Sequence, residues 1–489
     1  MIPRNYFNTI SKRIFLVAAC ILYAFTVFSN DDKGKDKKYN VLFIMVDDLR
    51  PNLACYGDKK AITPNIDKLA RRGTMFKNAY CQQAVCNPSR ASILTGLRPN
   101  QNGVTDLITH FRDKVPGVAT LPQAFKNNGY TAVGVGKIFH DTKSTVDTIS
   151  WSPVQSEIDE KKGKEYFLER NKKGGKADAY EFTDRDDASY PDGKVADQAV
   201  ELLRRFKNSG ESFFLAAGFR KPHLPFCAPQ KYWDMYAHTA FPGVENRNRP
   251  IGAPEIAFHQ GQELRGYTDI PDEGPLAAGK EKDLIRAYYA CISFADAQVG
   301  KVLDELNRLG LSDNTIVVLV GDHGYHLGEQ DLWCKSTNFE LDARVPLIIS
   351  VPKASQKNGG TDAIVEAVDI YPTLTALCKI DPAPKLSGTS LVPLLQNPAI
   401  RWDRVAYSQF ARPYKALFSK TATHMGYSVR DREWRYTVWY NLSGNAIENK
   451  ELYYLGNGGI EKENLSGTAK YQPVEKKLGE LLETYRNIQ

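Results

Sequence analysis

The sequence predicts an α/β fold with a mostly parallel central sheet and a smaller C-terminal α+β domain. Three observations carry this: short apolar runs alternate with amphipathic stretches, ionisable residues follow several of those runs, and the texture changes after about residue 412. Val41-Leu-Phe-Ile-Met-Val46 is apolar at every position, the mark of a strand covered on both faces. Residues 130–135, 213–217, 315–320 and 345–351 read the same way. Residues 282–309 predict a long helix, because Leu284, Tyr288, Cys291, Ala295, Val299, Val302, Leu306 and Leu309 step by three and four. Gly310 stands where a glycine ends such a helix. Alternation of this kind builds a parallel sheet covered by helices. Beyond 412, residues 426–430, 434–440 and 452–454 read as antiparallel strands, and 473–485 as a last helix. Two polar stretches, 159–192 and 242–279, read as long surface insertions that shape a pocket rim.

With 489 residues, 42% hydrophobic and 25% charged, the chain has ordinary globular usage. That excludes a mainly disordered, collagen-like or polytopic membrane protein. The net charge is +7. Arg4, Lys12 and Arg13 fall in the first 29 residues, which carry no acid, so the remainder has 61 basic against 57 acidic residues. That excess is too mild to argue for nucleic acid, and it is compatible with an anionic substrate. Lys12-Arg13 leads into a 15-residue apolar run, 14–28, short for a membrane span and right for a signal peptide cleaved after Ser29. An uncleaved anchor and a lipoprotein box ending at Cys20 are the competing readings. The domain reading is therefore 1–29 signal peptide, 30–412 catalytic domain and 413–489 C-terminal subdomain. Export would place the protein in the periplasm or outside a bacterial cell, or in the lysosome or outside a eukaryotic one, and would permit disulfides. The seven cysteines beyond Cys20 show no metal-finger spacing and no dense framework. Asn441-Leu-Ser443 and Asn464-Leu-Ser466 fit the glycosylation pattern of a eukaryotic host.

In open α/β sheets, ligands bind at the carboxyl ends of the strands. Asp47-Asp48 follow the first strand; Lys137 and His140 follow the 130–135 run; His223 follows the 213–217 run; Asp322-His323 follow the 315–320 run. One polar strand end is bland, since an Asp pair there is ordinarily a helix cap plus a solvated carboxylate. Four such ends read as one site. Asp47, Asp48 and Asp322 are hard oxygen ligands suited to Ca²⁺ or Mg²⁺, and His323 adds a nitrogen. Lys137, His140, His223 and Lys335 supply positive charge or protons.

Cys86-Asn87-Pro88-Ser89-Arg90 is the sharpest motif. Asn87 is a good N-cap and Pro88 a good first helical residue, which puts Cys86 at a helix N-terminus where an anion is favoured. Arg90, one turn in, can hold an anionic oxygen near Cys86. From the residues alone this is an activated nucleophile, an anion site, or a buried structural cysteine before a helix.

Cys-X-Pro-Ser-Arg followed by Ala-Ser-Ile-Leu-Thr-Gly resembles the sulfatase signature, in which the cysteine is oxidised to formylglycine. Thr63-Pro-Asn-Ile-Asp67, Gly136-Lys-Ile-Phe-His140, Lys221-Pro-His-Leu-Pro225, Gly321-Asp-His-Gly324 and Val368-Asp-Ile-Tyr-Pro-Thr373 extend the likeness along nearly the whole chain. Tyr407-Ser-Gln-Phe410, Met425-Gly-Tyr-Ser-Val-Arg430 and His323 are similar to the iduronate-2-sulfatase subgroup. The resemblance implies an alkaline-phosphatase-like fold. It also implies a hydrated formylglycine at Cys86 that attacks sulfur in line and then expels sulfate, regenerating the aldehyde.

It further implies a cation, Ca²⁺ or Mg²⁺, held by Asp47, Asp48, Asp322, His323 and the modified Cys86. Arg90 and Lys137 would stabilise the nucleophile, and His140 would take a proton from the diol. His223 and Lys335 would contact the sulfate and protonate the leaving oxygen. The implied partners are a sulfated oligosaccharide and a formylglycine-generating or sulfatase-maturing enzyme. The expected reaction is removal of the 2-O-sulfate of a terminal hexuronate, with Arg412 as the candidate partner of its carboxylate. Two other readings stand: a phosphonate or phosphate monoester hydrolase of the same superfamily, and a non-catalytic binder of sulfated glycans. The binder would need a lost nucleophile or ligand, and every named position is present.

Overall fold

The computed structural model describes residues 38–140, 142, 144–153, 165–172, 177–352, 359–381, 385–456 and 459–487. The predicted leader, with its competing anchor and lipoprotein readings, lies outside them. No helix among the described residues is long and apolar enough to cross a membrane.

The strands are β1 (Asn40–Val46), β2 (Thr74–Tyr80), β3 (Thr131–Gly136), β4 (Tyr180–Thr183), β5 (Phe213–Phe219), β6 (Phe226–Pro229), β7 (Thr315–Gly321), β8 (His326–Leu327) and β9 (Trp333–Cys334). They continue with β10 (Arg344–Ser350), β11 (Gly359–Glu366), β12 (Ala406–Arg412), β13 (His424–Arg430), β14 (Trp434–Asn441) and β15 (Ile447–Tyr454). The central sheet has the order β11-β2-β10-β7-β1-β5-β3. Only β10 in that sheet runs against its neighbours. All five predicted runs are strands of this sheet. β2 and β11 escaped the sequence reading because polar residues interrupt their apolar character: β2 reads Thr-Met-Phe-Lys-Asn-Ala-Tyr, and β11 opens Gly-Gly-Thr-Asp.

Alternation along β1 divides the core. Leu42, Ile44 and Val46 enter one apolar cluster, with Tyr288, Val299 and Leu306 of the long helix Ala278–Arg308. Val41, Phe43 and Met45 enter the other, with Ile93 and Leu94 of the helix Cys86–Thr95. All six β1 side chains are fully buried. Each such side chain contributes about 1.5–3 kcal/mol by leaving water. The sheet is thus sandwiched by helices, as the alternation predicts.

The C-terminal sheet has the order β12-β13-β14-β15, all antiparallel. Leu478, Leu482 and Tyr485 of the helix Gln472–Arg486 pack on Val429, Tyr436 and Val438. This sheet begins at Ala406, ahead of the change of texture read at 412. β12 also ties the two sheets together: Ser408 Oγ donates to Cys81 O at 2.7 Å, and Gln409 N donates to Gln82 O at 2.9 Å.

The 159–192 stretch differs from expectation. Its described part is not simply a surface insertion, because β4 pairs with β6 and both Glu181 and Asp192 are buried. Their carboxylates accept main-chain N–H groups that would otherwise be orphaned: Phe167 and Leu168 on Glu181, Arg220 and Lys221 on Asp192. The seven described cysteines are free thiols.

Candidate active site

β7, β1, β5 and β3 are four consecutive parallel strands, so their carboxyl ends open on one crevice. This is the convergence that the polar strand ends predict. The turn that follows β3 depends on glycine. Gly136 has φ +72°, and a Cβ there would lie 2.1 Å from Gly218 O; a Cβ on Gly218 would lie 2.2 Å from Lys137 O. Only two facing glycines let the strands close enough to turn Lys137 inward.

Cys86 opens its helix, as expected, but the capping is different. The N-cap position is Val85, with no side-chain cap. Asn87 instead donates its amide to Asp106 O and Thr109 O, both at 2.9 Å, and so fastens the neighbouring loop. Cys86 Sγ lies 3.3 Å from His323 Nε2, 3.5 Å from Asp47 Oδ1 and 3.7 Å from Lys137 Nζ.

Arg90 is fully buried beneath the carboxylates. Its Nε donates to Asp322 Oδ2 at 2.8 Å and its Nη2 to Asp47 Oδ1 at 3.1 Å, while Nη1 reaches the main-chain oxygens of Lys137 and Ile138. Its contacts therefore fix the two carboxylates. Lys137 Nζ bonds Asp47 Oδ2 at 2.5 Å. Burial would raise the Asp47 carboxyl, but the Lys137 and Arg90 cations outweigh it and hold it well below the usual range. Asp48 is opposite. Burial pushes it well above that range, although Lys335 and His323 pull it down.

His323 Nδ1 lies 3.0 Å from Gly324 O. A carbonyl only accepts, so Nδ1 carries a proton and Nε2 faces the acids. Burial opposes a charge here, but Asp322, Cys86 and Asp48 outweigh it and raise the imidazole to about 10, so a bound cation would take the place of a second proton on Nε2. That nitrogen is 3.4 Å from Asp48 Oδ1 and 3.7 Å from Asp322 Oδ2. Donor atoms of Asp47, Cys86, Asp322 and His323 lie within 4.8 Å of one another, and a second grouping joins Asp48, Cys86 and His223. Asp48 Oδ1 is buried and accepts no hydrogen bond. Three carboxylates, one of them with a buried oxygen that no donor meets, and an imidazole nitrogen turned toward them fit a hard divalent cation.

Above this floor opens a pocket of about 300 Å³, lined by Cys86, His140, His223, Glu263 and Lys335 and walled by Leu107, Tyr414, Leu417 and Phe418. His223 Nδ1 donates to Leu224 O at 2.5 Å. Burial, with the Lys335 ammonium nearby, holds its imidazole well below its ordinary pKa, so it is neutral at rest. Lys221, itself buried, bonds His223 O and Pro225 O and holds this loop in place. Lys335 Nζ bonds Asp48 Oδ2 at 3.0 Å and Glu263 Oε1 at 2.6 Å.

Glu263 escaped the sequence reading, since nothing marks it within a polar insertion beyond the expectation that the insertion forms the rim. Arg412 does not line the pocket. It is buried, and its Nε and Nη2 donate to Ile256 O and Ala257 O at 2.9 Å each. The expected carboxylate contact is therefore corrected: this guanidinium is consumed by the main chain of the 242–279 insertion.

The comparisons with known proteins agree with this geometry. The sulfatase family model matches residues 39–380, and a model of the C-terminal region of N-sulphoglucosamine sulphohydrolase matches 328–488. Iduronate 2-sulfatase of Homo sapiens is 32% identical, over 87% of this chain and 90% of its own. A structure solved with its substrate D-glucosamine-2-N,6-O-disulfate superposes with a TM-score of 0.73 at 24% identity, covering 92% of this chain and 98% of that one. A phosphonate monoester hydrolase from Silicibacter pomeroyi gives a TM-score of 0.71 at 20% identity, covering 92% and 95%. These two structures establish the shared fold. The family generally uses a formylglycine and a divalent metal. With its signature cysteine on the floor of the crevice and the family model spanning most of its length, the chain belongs to the sulfatases.

Proposed function

We propose that this sulfatase removes the 2-O-sulfate from a terminal hexuronate of a heparan- or dermatan-type glycan, acting on the chain end. The observation that carries the chemistry is the position of Cys86, between His323, Asp47 and Lys137 at the base of a pocket rimmed by His140, His223 and Lys335. The hexuronate part is supported by the 32% identity to human iduronate 2-sulfatase.

Asp47, Asp48, Asp322 and His323 would hold the cation, Ca²⁺ or Mg²⁺, beside Cys86 matured to formylglycine. When present, the cation supplies charge against the sulfate, and the matured residue supplies the hydroxyl nucleophile. Arg90 keeps Asp47 and Asp322 in place. Lys137 sets an ammonium beside position 86, where negative charge gathers. His140 takes the proton that breakdown of the sulfate ester releases.

His223 and Lys335 grip the sulfate. Of the two, Lys335 holds a proton at rest: burial opposes its charge, but Asp48 and Glu263 keep its pKa well above the ordinary value. Lys335 is therefore an ammonium at rest, and together with His223 it contacts the sulfate and protonates the leaving sugar oxygen. Glu263 now occupies the side of Lys335 that faces the pocket, and an incoming sulfate takes its place.

The apolar wall of Leu107, Tyr414, Leu417 and Phe418 offers a face for a sugar ring. Export and a host maturation enzyme complete the reading. The test is mass spectrometry of the Cys86 peptide, with assays of a 2-O-sulfated uronate disaccharide, a 6-O-sulfated hexosamine and an aryl phosphonate. Formylglycine at position 86 and preference for the uronate are expected. Preference for the hexosamine refutes the substrate, and preference for the phosphonate refutes the sulfate ester.

A further inference from the structure

We propose that His326, acting through Asp342, is the positioning residue that aims Lys335 into the active site. The inference rests on the reading above that Lys335 serves hydrolysis. Lys335 sits on a turn that a chain without glycine does not adopt unaided. The residues on either side, Cys334 and Ser336, have φ of 72° and 98°, in the left-handed region that side chains disfavour. Something must hold that turn, and the bonds converge on one carboxylate. Asp342 Oδ2 accepts Thr337 N at 2.9 Å and Thr337 Oγ1 at 2.7 Å, immediately past the turn. Its other oxygen, Oδ1, lies 2.5 Å from His326 Nδ1. On the opposite side, the β8–β9 hairpin pairs His326 with Cys334, so the turn is gripped at both ends by groups that meet at His326.

The hydrogen-bond directions make this imidazole a cation. Gln330 Nε2 donates to Glu461 O at 2.9 Å and faces Glu461 Oε2 at 3.3 Å, which fixes the amide. Gln330 Oε1 must then accept, so His326 Nε2, 3.0 Å away, donates. Nδ1 faces a carboxylate and donates as well. His326, Gln330 and Asp342 are fully buried. Burial opposes the charge, but the Asp342 carboxylate outweighs it and raises the imidazole above its ordinary pKa. A neutral side chain at 326 would take from Asp342 Oδ1 its nearest cation, and a carboxylate held only through Oδ2 would fix Thr337 less firmly. Lys335 would then lose the turn that directs its Nζ to Asp48. His326 does not line the pocket, so its effect runs through that turn.

The test is a double-mutant cycle in the matured full-length enzyme, with His326→Gln, Lys335→Ala and the pair, on two substrates. One is the preferred sugar sulfate, whose leaving oxygen needs a proton. The other is 4-nitrocatechol sulfate, whose leaving group does not. His326→Gln is expected to lower kcat on the sugar sulfate by about 10–100-fold, within the range of a displaced proton donor. On the aryl sulfate it should change kcat less than about threefold, and in the Lys335→Ala background it should add almost nothing on either substrate.

Thr337→Val, which removes one clamp bond and no charge, should give a smaller loss with the same substrate bias, and keeps the test open should His326→Gln not fold. Equal losses on both substrates would overturn the proposal, as would a full additional loss in the Lys335→Ala background. A Lys335→Ala enzyme as active as wild type on the sugar sulfate would instead overturn the role given to Lys335, and the positioning proposal with it.

Discussion

Arg90 Nε donates to Asp322 Oδ2 at 2.8 Å, and neither side chain has any exposed surface. The same guanidinium bonds Asp47, so one planar cation spaces two candidate metal ligands. Lysine cannot reproduce that fork. Arg90→Lys should lose activity, and Arg90→Ala should destabilise the fold by about 3–5 kcal/mol, the usual consequence of leaving buried charges unpaired. Chemical denaturation of both variants reads the effect. A wild-type midpoint for Arg90→Ala would show that the carboxylates do not depend on it.

Cys86→Ala should abolish sulfate release and change stability by no more than about 1 kcal/mol. The helix is not capped by a side chain at this end, and Sγ is a small group beside Asp47, His323 and Lys137. Substantial turnover by this variant would sink the nucleophile assignment.

Arg412→Ala should act on stability and not on selectivity. It strips the donors from Ile256 O and Ala257 O, at about 1–3 kcal/mol for buried acceptors left unpaired. The ratio of kcat/KM between uronate and hexosamine sulfates should stay at the wild-type value. A selective loss on the uronate would restore Arg412 to the substrate site.

The legible part of this molecule was the part written in short-range pattern. Val41–Val46 is apolar throughout because both of its faces are covered, and the ionisable residues after it must therefore lie at the sheet's end. Asp47, Lys137, His223 and Asp322 followed from that single rule. What stayed hidden depends on contacts far apart in sequence. Glu263 reaches Lys335 across 72 positions. Arg412 looks like a free cation until the main chain of residues 256–257 is seen to take it, 155 and 156 positions away. Asn87 has the right residue type for a cap, but the helix already starts at Cys86, and the Asn87 Nδ2 is anchored on Asp106 O and Thr109 O.

Asp48→Asn should weaken metal binding more than it weakens the fold. Asp48 Oδ2 is already taken by Lys335, and Asp48 Oδ1 is the buried acceptor without a donor, so Oδ1 is the atom left for a cation. Chelation should remove activity from the wild type, with Ca²⁺ or Mg²⁺ restoring it. Calcium at about a hundred times its Kd should raise wild-type stability by about 2.7 kcal/mol, a gain Asp48→Asn should largely lose. Calorimetric titration of chelated protein checks this directly, and an unchanged affinity in the variant would exclude Asp48 from the ligand set.

A buried acid far from the pocket sets the last expectation. Glu451 is buried on β15; its Oε1 takes the Trp439 indole N–H and its Oε2 meets the Tyr453 hydroxyl, each at 2.6 Å. Burial raises its pKa from 4.5 to about 7, because these two neutral partners do not replace the water it lost, and Glu461 adds like charge. A folded-state pKa above the unfolded one means that the folded chain binds this proton more tightly. Its contribution is therefore fully present below about pH 4.5 and declines as pH rises through about 7, by about 3 kcal/mol in all at 1.36 kcal/mol per unit. Glu451→Gln keeps an acceptor for Trp439 and carries no charge at any pH. Urea denaturation at pH 5 and pH 8 should therefore show a smaller pH-dependent loss for the variant than for the wild type. At pH 8 the variant should be the more stable of the two, and equal slopes would show that Glu451 ionises as readily in the fold as outside it.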